Sequence, residues 1–216
     1  MTKARKTGEA KSLAPAFNTV VLFLAGCLFT AQVVCAQEVA AYFGLGSAFA
    51  TSNGSQIDTF GDGTLHATPN LDGLFAEIGA SVFVNKQVGI GAQLAWRPSE
   101  GDYAGLLYRP SFYDFDGVFR PTRRVSKRFA PEFRLGLGGA RVHYDFEGQS
   151  ACGQIPGFCD STHFQVHASA ATRWYLTDHL FLRPVLDLHY VHNFFEFGSN
   201  WVPRLSVGIG YSFGRD

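Results

Sequence analysis

The segment Trp201–Phe213 constrains the fold more than any other part of the chain. Every second residue from Trp201 to Phe213 is apolar, whereas the positions between them carry Val202, Arg204 and small or hydroxyl residues. A period of two predicts a β-strand with one apolar face and one polar face. The aromatic residues at its far end predict a strand that closes a sheet, because a free terminus is more often polar and frayed.

Seven further segments show the same alternation, and no long helical stripe follows Gln37. They are Val39–Phe49, Leu71–Val84, Val88–Arg97, Gly105–Phe119, Phe129–Phe146, His163–Leu176 and Leu180–Val191. Two of them, Gly105–Phe119 and Phe129–Phe146, change phase once, the second near Gly138 and Gly139, where a β-bulge would be tolerated. The sequence therefore predicts an all-β domain of eight strands.

The connections between these segments broadly alternate between long and short. Thr51–Asn70 and Glu147–Thr162 are long and polar, whereas Asn85–Gln87 and Thr177–His179 have three residues each. Short connections join antiparallel neighbours, so the expected architecture is an up-and-down antiparallel barrel.

The first 36 residues have the pattern of a secretory signal peptide. A basic stretch, Met1–Asn18, precedes an apolar run, Val20–Val34, and small residues close it at Ala36. We therefore expect a signal peptide over residues 1–36 and an exported barrel domain over residues 37–216; a lipoprotein cleavage at Cys27 stays open as an alternative. Four basic residues and one acidic residue leave with the signal, so the mature charge of −3 does not favour nucleic acid.

Two cysteines, Cys152 and Cys159, remain in the mature chain and fall in the same predicted loop. In an oxidising compartment this pair predicts a disulfide. A metal site is the weaker interpretation, since a second matching cysteine pair is missing.

Periodicity alone does not say which face of the sheet points inward. A soluble lipocalin-like barrel with an apolar interior and a membrane barrel with an apolar exterior both fit it. The mature chain has only two lysines, Lys86 and Lys127, both in turns, while arginine supplies the positive charge in the strands. Arginine suits a crowded polar interior and a soluble surface normally carries lysine as well, so we expect the polar face inside.

Large aromatic residues collect near the ends of the predicted strands. They are Trp96, Tyr108, Tyr144, Phe164, Trp174, Tyr190, Trp201, Tyr211 and Phe213. We expect them on the apolar outer face, as two girdles at the interfaces of a membrane.

The spacing Ser206-x-Gly208-x-x-Tyr211-x-Phe213 resembles the C-terminal signal by which bacterial outer-membrane β-barrels are recognised for insertion. The segments Arg109–Phe115, Leu135–Ala140 and Gly198–Arg204 are similar to those of eight-stranded outer-membrane barrels of the OmpA/OmpX type, including the porin-family β-barrel domain. The resemblance covers residues 38 to 213. It implies outer-membrane localisation, short periplasmic turns, outer-membrane lipids and lipopolysaccharide as surroundings, insertion by the barrel-assembly machinery, and no cofactor.

Nine charged residues fall on the predicted polar face and are expected to meet in the lumen. They are Glu77, Arg97, Arg109, Glu132, Arg134, Arg173, Arg183, Asp187 and Arg204. An eight-stranded barrel is just wide enough for side chains to fill, so we expect these groups to pair and plug it. A weak channel, slightly anion-preferring because arginine outnumbers carboxylate in this set, is the alternative.

Few residues suggest catalysis or metal binding. His167 and Ser169 share a face, as in outer-membrane lipid A deacylases, but a carboxylate to orient the histidine is not evident, so we predict no enzyme. His143, His163 and His189 could join His167 around a metal, although hydrogen bonding inside the barrel explains them more simply.

The predicted function is structural, adhesive or weakly channel-like. A basic cluster in one turn, Arg120, Arg123, Arg124, Lys127 and Arg128, could touch lipid headgroups or simply be solvated. The long loops are the expected contact surface for an external partner, which the sequence does not identify.

Overall fold

The computed structural model describes residues 38–58, 63–103, 105–121, 128–146, 149–150 and 160–214. The predicted signal peptide and the cysteine pair Cys152 and Cys159 lie outside these residues and stay predictions. Within the described ranges no helix is long and apolar enough to cross a membrane.

Eight long strands form the domain, as the alternating segments predict. They are β1 (Glu38–Ala48), β2 (Leu74–Phe83), β3 (Val88–Trp96), β4 (Leu106–Phe119), β5 (Phe129–Phe146), β6 (Asp160–Tyr175), β7 (Leu180–Val191) and β8 (Trp201–Phe213). Each lies within a few residues of its predicted bounds.

Every long strand pairs antiparallel with its neighbours in sequence, and β8 returns to β1. The closing ladder runs from Val39 opposite Phe213 to Ala48 opposite Arg204. The predicted eight-stranded up-and-down barrel is therefore confirmed. Closure leaves the long strands without a free edge, so their backbone groups are paired inside the sheet.

The two ends of the barrel differ. At the turn end, Glu38 and Phe213 lie beside the short connections 84–87 and 176–179. These turns are held by side chains: Asn85 Oδ1 accepts from the backbone N–H of Val88 at 2.8 Å, and Thr177 Oγ1 from that of Leu180 at 2.9 Å. The turn end also holds the longer connection 120–128, and the other end, here called the loop end, carries connections 49–73, 97–105, 147–159 and 192–200.

Strands β5 and β6 are the longest, with 18 and 16 residues, and together with β4 they extend beyond β7 at the loop end. Leu107 of β4 still pairs with Asp145, and Asp160 of β6 precedes the first pair of β6 with β7. About 9–11 tilted residues span a bilayer. These two strands therefore project well past any membrane that the barrel crosses.

Gly138 and Gly139, which would tolerate a β-bulge, do not form one. Strand β5 keeps one uninterrupted register with both β4 and β6 through these residues. Tyr113 approaches both glycines closely: a Cβ on Gly138 would clash with the Tyr113 carbonyl oxygen, and one on Gly139 would clash with its hydroxyl. The apparent change of phase arises because the inner face itself becomes apolar towards the loop end.

The outer face of the barrel is apolar around its middle. Phe115 is 71% exposed and Leu135 is 66% exposed, and Leu186, Leu205 and Val207 are comparably open. Side chains that alternate with these point inward and include fully buried arginines. The lipocalin-like alternative, with its apolar interior, is contradicted by this arrangement.

Many of the outward aromatic residues lie in two belts. The turn-end belt consists of Phe119, Phe129, Trp174, Tyr211 and Phe213, and the loop-end belt of Tyr113, Phe164, Tyr190 and Trp201. Tyr113 and Phe164 both pair with Gly139, which places them at one level. From Phe164 to Trp174, β6 has eleven positions, which matches the length of a membrane-spanning strand.

Tyr108 and Tyr144 do not belong to these belts, contrary to the prediction. Both face inward and pack with other aromatic residues over the loop end of the lumen. This aromatic cap is made of Phe75, Tyr108, Phe112, Tyr144, Phe194 and Phe197, with aliphatic neighbours. Phe194 and Phe197 come from the connection before β8, which folds back over the barrel in a short 3₁₀ turn, Phe195–Phe197.

Candidate functional site

The lowest layer of the lumen, nearest the turn end, joins the start of β1 to β6 by ion pairs. Arg120 donates to both carboxylate oxygens of Glu38, at 2.6 and 2.8 Å, and Arg173 donates to Glu38 at 3.0 Å and to Ser81 Oγ at 2.8 Å. The Arg120 guanidinium also lies over the Phe83 ring, 3.5 Å from its centroid. A fork geometry of this kind fixes both partners more firmly than a lysine would.

Glu132 of β5 is the hub of the next layer. Its carboxylate accepts from Arg134 at 2.8 Å and from Arg183 at 3.2 Å, and it lies 2.7 Å from Arg173. The guanidinium of Arg120 is 3.8 Å away. Four cations thus surround one buried carboxylate. Its negative charge offsets part of the cost of burying them.

A third layer links β7, β8 and β2. Arg204 Nε donates to Asp187 Oδ2 at 2.9 Å, and its Nη2 lies 2.9 Å from Glu77. Arg183 reaches the same Glu77 at 4.0 Å and covers the ring of Tyr42, 4.3 Å from its centroid. All five side chains are buried, so this layer leaves little room for solvent.

Two histidines lie between this layer and the aromatic cap. His167 is held between two carboxylates, Asp116 at 2.9 Å from Nδ1 and Asp187 at 3.0 Å from Nε2. Its ring stacks on His189, with centroids 4.6 Å apart, and His189 in turn lies under Phe112. Both histidines are fully buried.

The predicted lumen set captured most of this network but omitted several members. Glu38, Asp114, Asp116 and Arg120 also point inward. Asp114 and Asp116 occupy alternate positions of β4, so strict alternation could have found them, whereas Arg120 follows the strand and resembles part of a basic turn. The side chains of Arg123, Arg124 and Lys127 lie outside the described residues.

The charge balance is opposite to the expected one. Among the described residues, this part of the lumen holds six carboxylates, Glu38, Glu77, Asp114, Asp116, Glu132 and Asp187, and five arginines, Arg120, Arg134, Arg173, Arg183 and Arg204. One negative charge is in excess before either histidine is counted. The expected slight preference for anions therefore has no basis in this lumen.

Two predicted members lie away from the network. Arg109 is on the outer face, 46% exposed, and pairs with Glu100 instead. Arg97 lies at the rim of the loop end, where it donates to the Tyr108 hydroxyl at 3.2 Å and approaches Asp72 at 3.9 Å. The phase of β4 explains the error for Arg109, because its inward positions are Tyr108, Pro110 and Phe112.

The arrangement does not form a nucleophile, base and acid relay. Ser169 Oγ makes no hydrogen bond within the described part of the chain, and both nitrogens of His167 are engaged by carboxylates. A second trio, Ser161, His163 and Glu196, brings serine and acid to the same histidine nitrogen, at 2.7 and 2.8 Å. A relay needs opposite ring nitrogens.

Outside the barrel, the extended part of β4, β5 and β6 carries a polar surface, here called the outer collar. It consists of Arg109, Ser111, Arg141, His143, Asp145 and Asp160. Arg141 donates to both oxygens of Asp160 at 2.9 and 2.7 Å, and His143 Nδ1 lies 2.8 Å from the same carboxylate. The hydrogen bonds from Arg141 lower the pKa of Asp160, which lies beyond the loop-end aromatic belt.

The residues of the predicted insertion signal divide between the two faces of β8. Ser206 and Gly208 point into the lumen, whereas Tyr211 and Phe213 point outward. The two aromatic rings contact each other at 4.7 Å, and His179 stacks on Tyr211 at 5.4 Å. Both rings therefore lie on the outer surface at the turn end.

No protein-family model matches the chain, and no curated protein shows significant sequence similarity to it. Solved structures do resemble it. Neisserial surface protein A aligns with a TM-score of 0.56 at 12% identity, over 81% of this chain and 97% of that protein. Ail, the attachment invasion locus protein of Yersinia pestis, in complex with the heparin analogue sucrose octasulfate, aligns at 0.53 and 11% identity, over 82% of this chain and 98% of Ail. The fold is that of the eight-stranded bacterial outer-membrane barrels.

Proposed function

We propose that this chain is an integral bacterial outer-membrane protein whose barrel is a closed anchor for a polar surface displayed outside the cell. The observation that carries the proposal is the plugged lumen: ion pairs fill it from Glu38 to Asp187, and the aromatic cap covers its loop end. A barrel closed in this way supports display and adhesion better than conduction.

The outer collar and the long loops are the parts available to an external partner. The collar stands above the loop-end aromatic belt on the longest strands, so it lies outside the membrane core. Binding residues commonly occupy such edges and loops of a rigid scaffold. The surroundings of the barrel itself are outer-membrane lipids and lipopolysaccharide, in contact with its apolar face.

The C-terminal residues Ser206, Gly208, Tyr211 and Phe213 serve insertion in this proposal. The outward rings of Tyr211 and Phe213 are the groups that the barrel-assembly machinery would contact. The cysteines Cys152 and Cys159 would brace the loop between β5 and β6. The proposal assigns the chain neither a catalytic step nor a cofactor.

Conductance measurements test whether the lumen is closed. The purified wild-type barrel in a planar bilayer should show no stable open conductance level. The double variant Phe112→Ala with Phe194→Ala removes the middle of the cap, but the ion pairs below it should still block conductance. Adding Arg204→Ala and Arg183→Ala should open a measurable level. A steady open level in the wild-type protein would contradict the closed-anchor proposal.

Localisation is tested by gel mobility of the protein from outer-membrane vesicles, with and without heating in SDS. A closed barrel keeps its backbone hydrogen bonds in cold detergent, so its band should shift only after heating. Recognition can first be tested with sucrose octasulfate, because Ail was solved in complex with that compound. Binding that falls in Arg109→Gln and Arg141→Gln would place the ligand on the outer collar.

A further inference from the structure

Three potential metal ligands converge in the lumen directly below the aromatic cap. Asp114 from β4, His167 from β6 and His189 from β7 each offer one ligand atom, and these atoms all lie within 4.8 Å of one another. All three side chains are buried. His167 and His189 lie directly opposite each other in the pairing of β6 with β7, whereas Asp114 belongs to β4, so the barrel brings Asp114 to the two histidines.

His189 is the least satisfied member of the trio. Neither ring nitrogen makes a hydrogen bond to any described residue, although the side chain is fully buried. The nearest carboxylate oxygen among the described residues is Asp114 Oδ2, 3.8 Å from Nδ1, which is too far for a hydrogen bond. A buried polar ring without a partner is costly, and a metal ion would supply that partner.

The side chain that lies between the ligands makes only weak contacts with them. The Gln93 side-chain amide lies there, with Nε2 3.4 Å from Asp114 Oδ2 and 3.4 Å from His167 Nε2. Both contacts are long for hydrogen bonds. The opposite end of the amide accepts from the Tyr42 hydroxyl at 3.1 Å, so the group could turn away while keeping that bond.

The charge of the lumen also favours a cation at this level. With both histidines neutral, as metal ligands must be, the network carries one more carboxylate than guanidinium groups. Asp114 is the carboxylate that none of the five arginines pairs with. The glutamines Gln93 and Gln165 are its hydrogen-bonding partners among the described residues. A cation beside Asp114 would therefore balance the local charge.

We propose that Asp114, His167 and His189 bind one divalent transition-metal cation in the plugged lumen. Two imidazoles and a carboxylate are a donor set that Zn²⁺ accepts readily, with ligand bonds of about 2.0–2.2 Å. The ligands would draw together by about 1 Å or more from their present separations to reach that geometry. The space beside Gln93 faces Nε2 of His167, so Nε2 would release its 3.0 Å contact with Asp187 to bind the ion. Asp116, which lies 2.9 Å from Nδ1 on the opposite side of the ring, would orient His167 as a supporting carboxylate.

The cap and the ion pairs enclose the site, so the ion would enter while the barrel folds. The test is to fold the full chain from denaturant into detergent micelles with a small excess of Zn²⁺, remove free metal, and measure bound zinc by mass spectrometry. About one ion per barrel is expected for the wild-type protein. Folding with Co²⁺ instead should give the visible absorption of a four- or five-coordinate site.

Matched variants locate the ion. His189→Ala and Asp114→Asn should each weaken retention by at least the roughly 10- to 100-fold that loss of a supporting group costs. His192→Ala removes an exposed histidine from the same part of the chain and should retain the metal. Alkylating the cysteines before folding controls for binding by thiols and should change nothing.

Each outcome is decisive. A wild-type barrel that folds, as judged by its heat-dependent gel shift, but holds no zinc or cobalt would overturn the proposal. Equal loss in His192→Ala and His189→Ala would also overturn it. If the lumen variants fail to fold, the wild-type protein still decides: cobalt in the enclosed trio should resist a chelator added after folding, whereas cobalt on the partly exposed His143 and Asp160 of the outer collar should be removed at once. The anchor role does not depend on the result.

Discussion

The guanidinium of Arg173 lies 2.7 Å from the carboxylate of Glu132, with both side chains fully buried inside the barrel. Residues of β6 and β5 thereby meet in the lumen at the point where Arg134 and Arg183 also converge. A single carboxylate thus offsets the charge of several guanidinium groups. Loss of that carboxylate would leave buried charge without a partner.

Glu132→Gln should therefore lower the free energy of unfolding by about 3–5 kcal/mol, because breaking a buried pair leaves uncompensated charge. Urea-induced unfolding of the refolded barrel in detergent micelles measures the change. The control is Glu100→Gln, which breaks the exposed pair with Arg109 and should cost less than about 1 kcal/mol. Similar losses in both variants would mean that the lumen network is not the main electrostatic support.

The two faces of β4 allow a matched pair of phenylalanine truncations. Phe112 packs in the cap against Phe75 and Phe194, whereas Phe115 faces outward. Phe112→Ala should cost about 3–5 kcal/mol because it leaves a cavity, and Phe115→Ala should stay within about 1 kcal/mol in micelles. Equilibrium unfolding followed by tryptophan fluorescence distinguishes them, and a larger effect at Phe115 would contradict the assignment of faces.

The lipid-facing assignment predicts a penalty that depends on depth. Leu135 lies about midway between the aromatic belts, so Leu135→Arg should destabilise the barrel in lipid vesicles by roughly 2–4 kcal/mol. Thr162→Arg, an outward position beyond the loop-end belt, should cost about 0–1 kcal/mol. Both are measured by unfolding from vesicles. Equal penalties would mean that the apolar band is misplaced.

The hydrogen bonds between Arg141 and Asp160 in the outer collar predict how stability changes at acid pH. Hydrogen bonds from Arg141 hold the pKa of Asp160 below the 3.8 that is usual for an aspartate. A depressed pKa contributes stability above the usual value, and that contribution is lost as the pH falls through the lower pKa of the folded state. Titration of the Asp160 carboxyl by carbon-13 NMR should give a pKa below 3.8, and Arg141→Gln should raise it. An unchanged pKa in that variant would remove Arg141 as the cause.

Aromatic truncations at the two ends of β8 distinguish a defect in membrane insertion from a defect in folding. Tyr211→Ala with Phe213→Ala should reduce the amount of heat-shifting barrel in the outer membrane, while refolding of the same variant in micelles should be nearly unaffected. Trp201→Ala, an aromatic truncation at the opposite end of the strand, is the control and should insert normally. A refolding defect equal to the defect in cells would mean that the two rings serve stability instead of recognition.

Much of the fold follows from the sequence alone because successive residues of a strand point to opposite faces, which gives a pattern with a period of two. The alternation in Trp201–Phe213 and in the seven segments before it gives the eight strands, their bounds to within a few residues, and their up-and-down order. The scarcity of lysine in the strands indicates that the polar face is the enclosed one. These are local properties, so each segment carries its own signal.

What changes along the barrel axis could be decided only by the tertiary structure. The inner face turns from charged to aromatic near the loop end, so Tyr108 and Tyr144 were expected outside and Arg109 inside, although the alternation itself never breaks. Phe194 covers the lumen from a connection that has no periodicity. The contacts of Arg183 with Glu132, and of Asp114 with His167 and His189, join strands that do not pair with each other in the sheet. They depend on the register at which the sheet closes, which no single strand encodes.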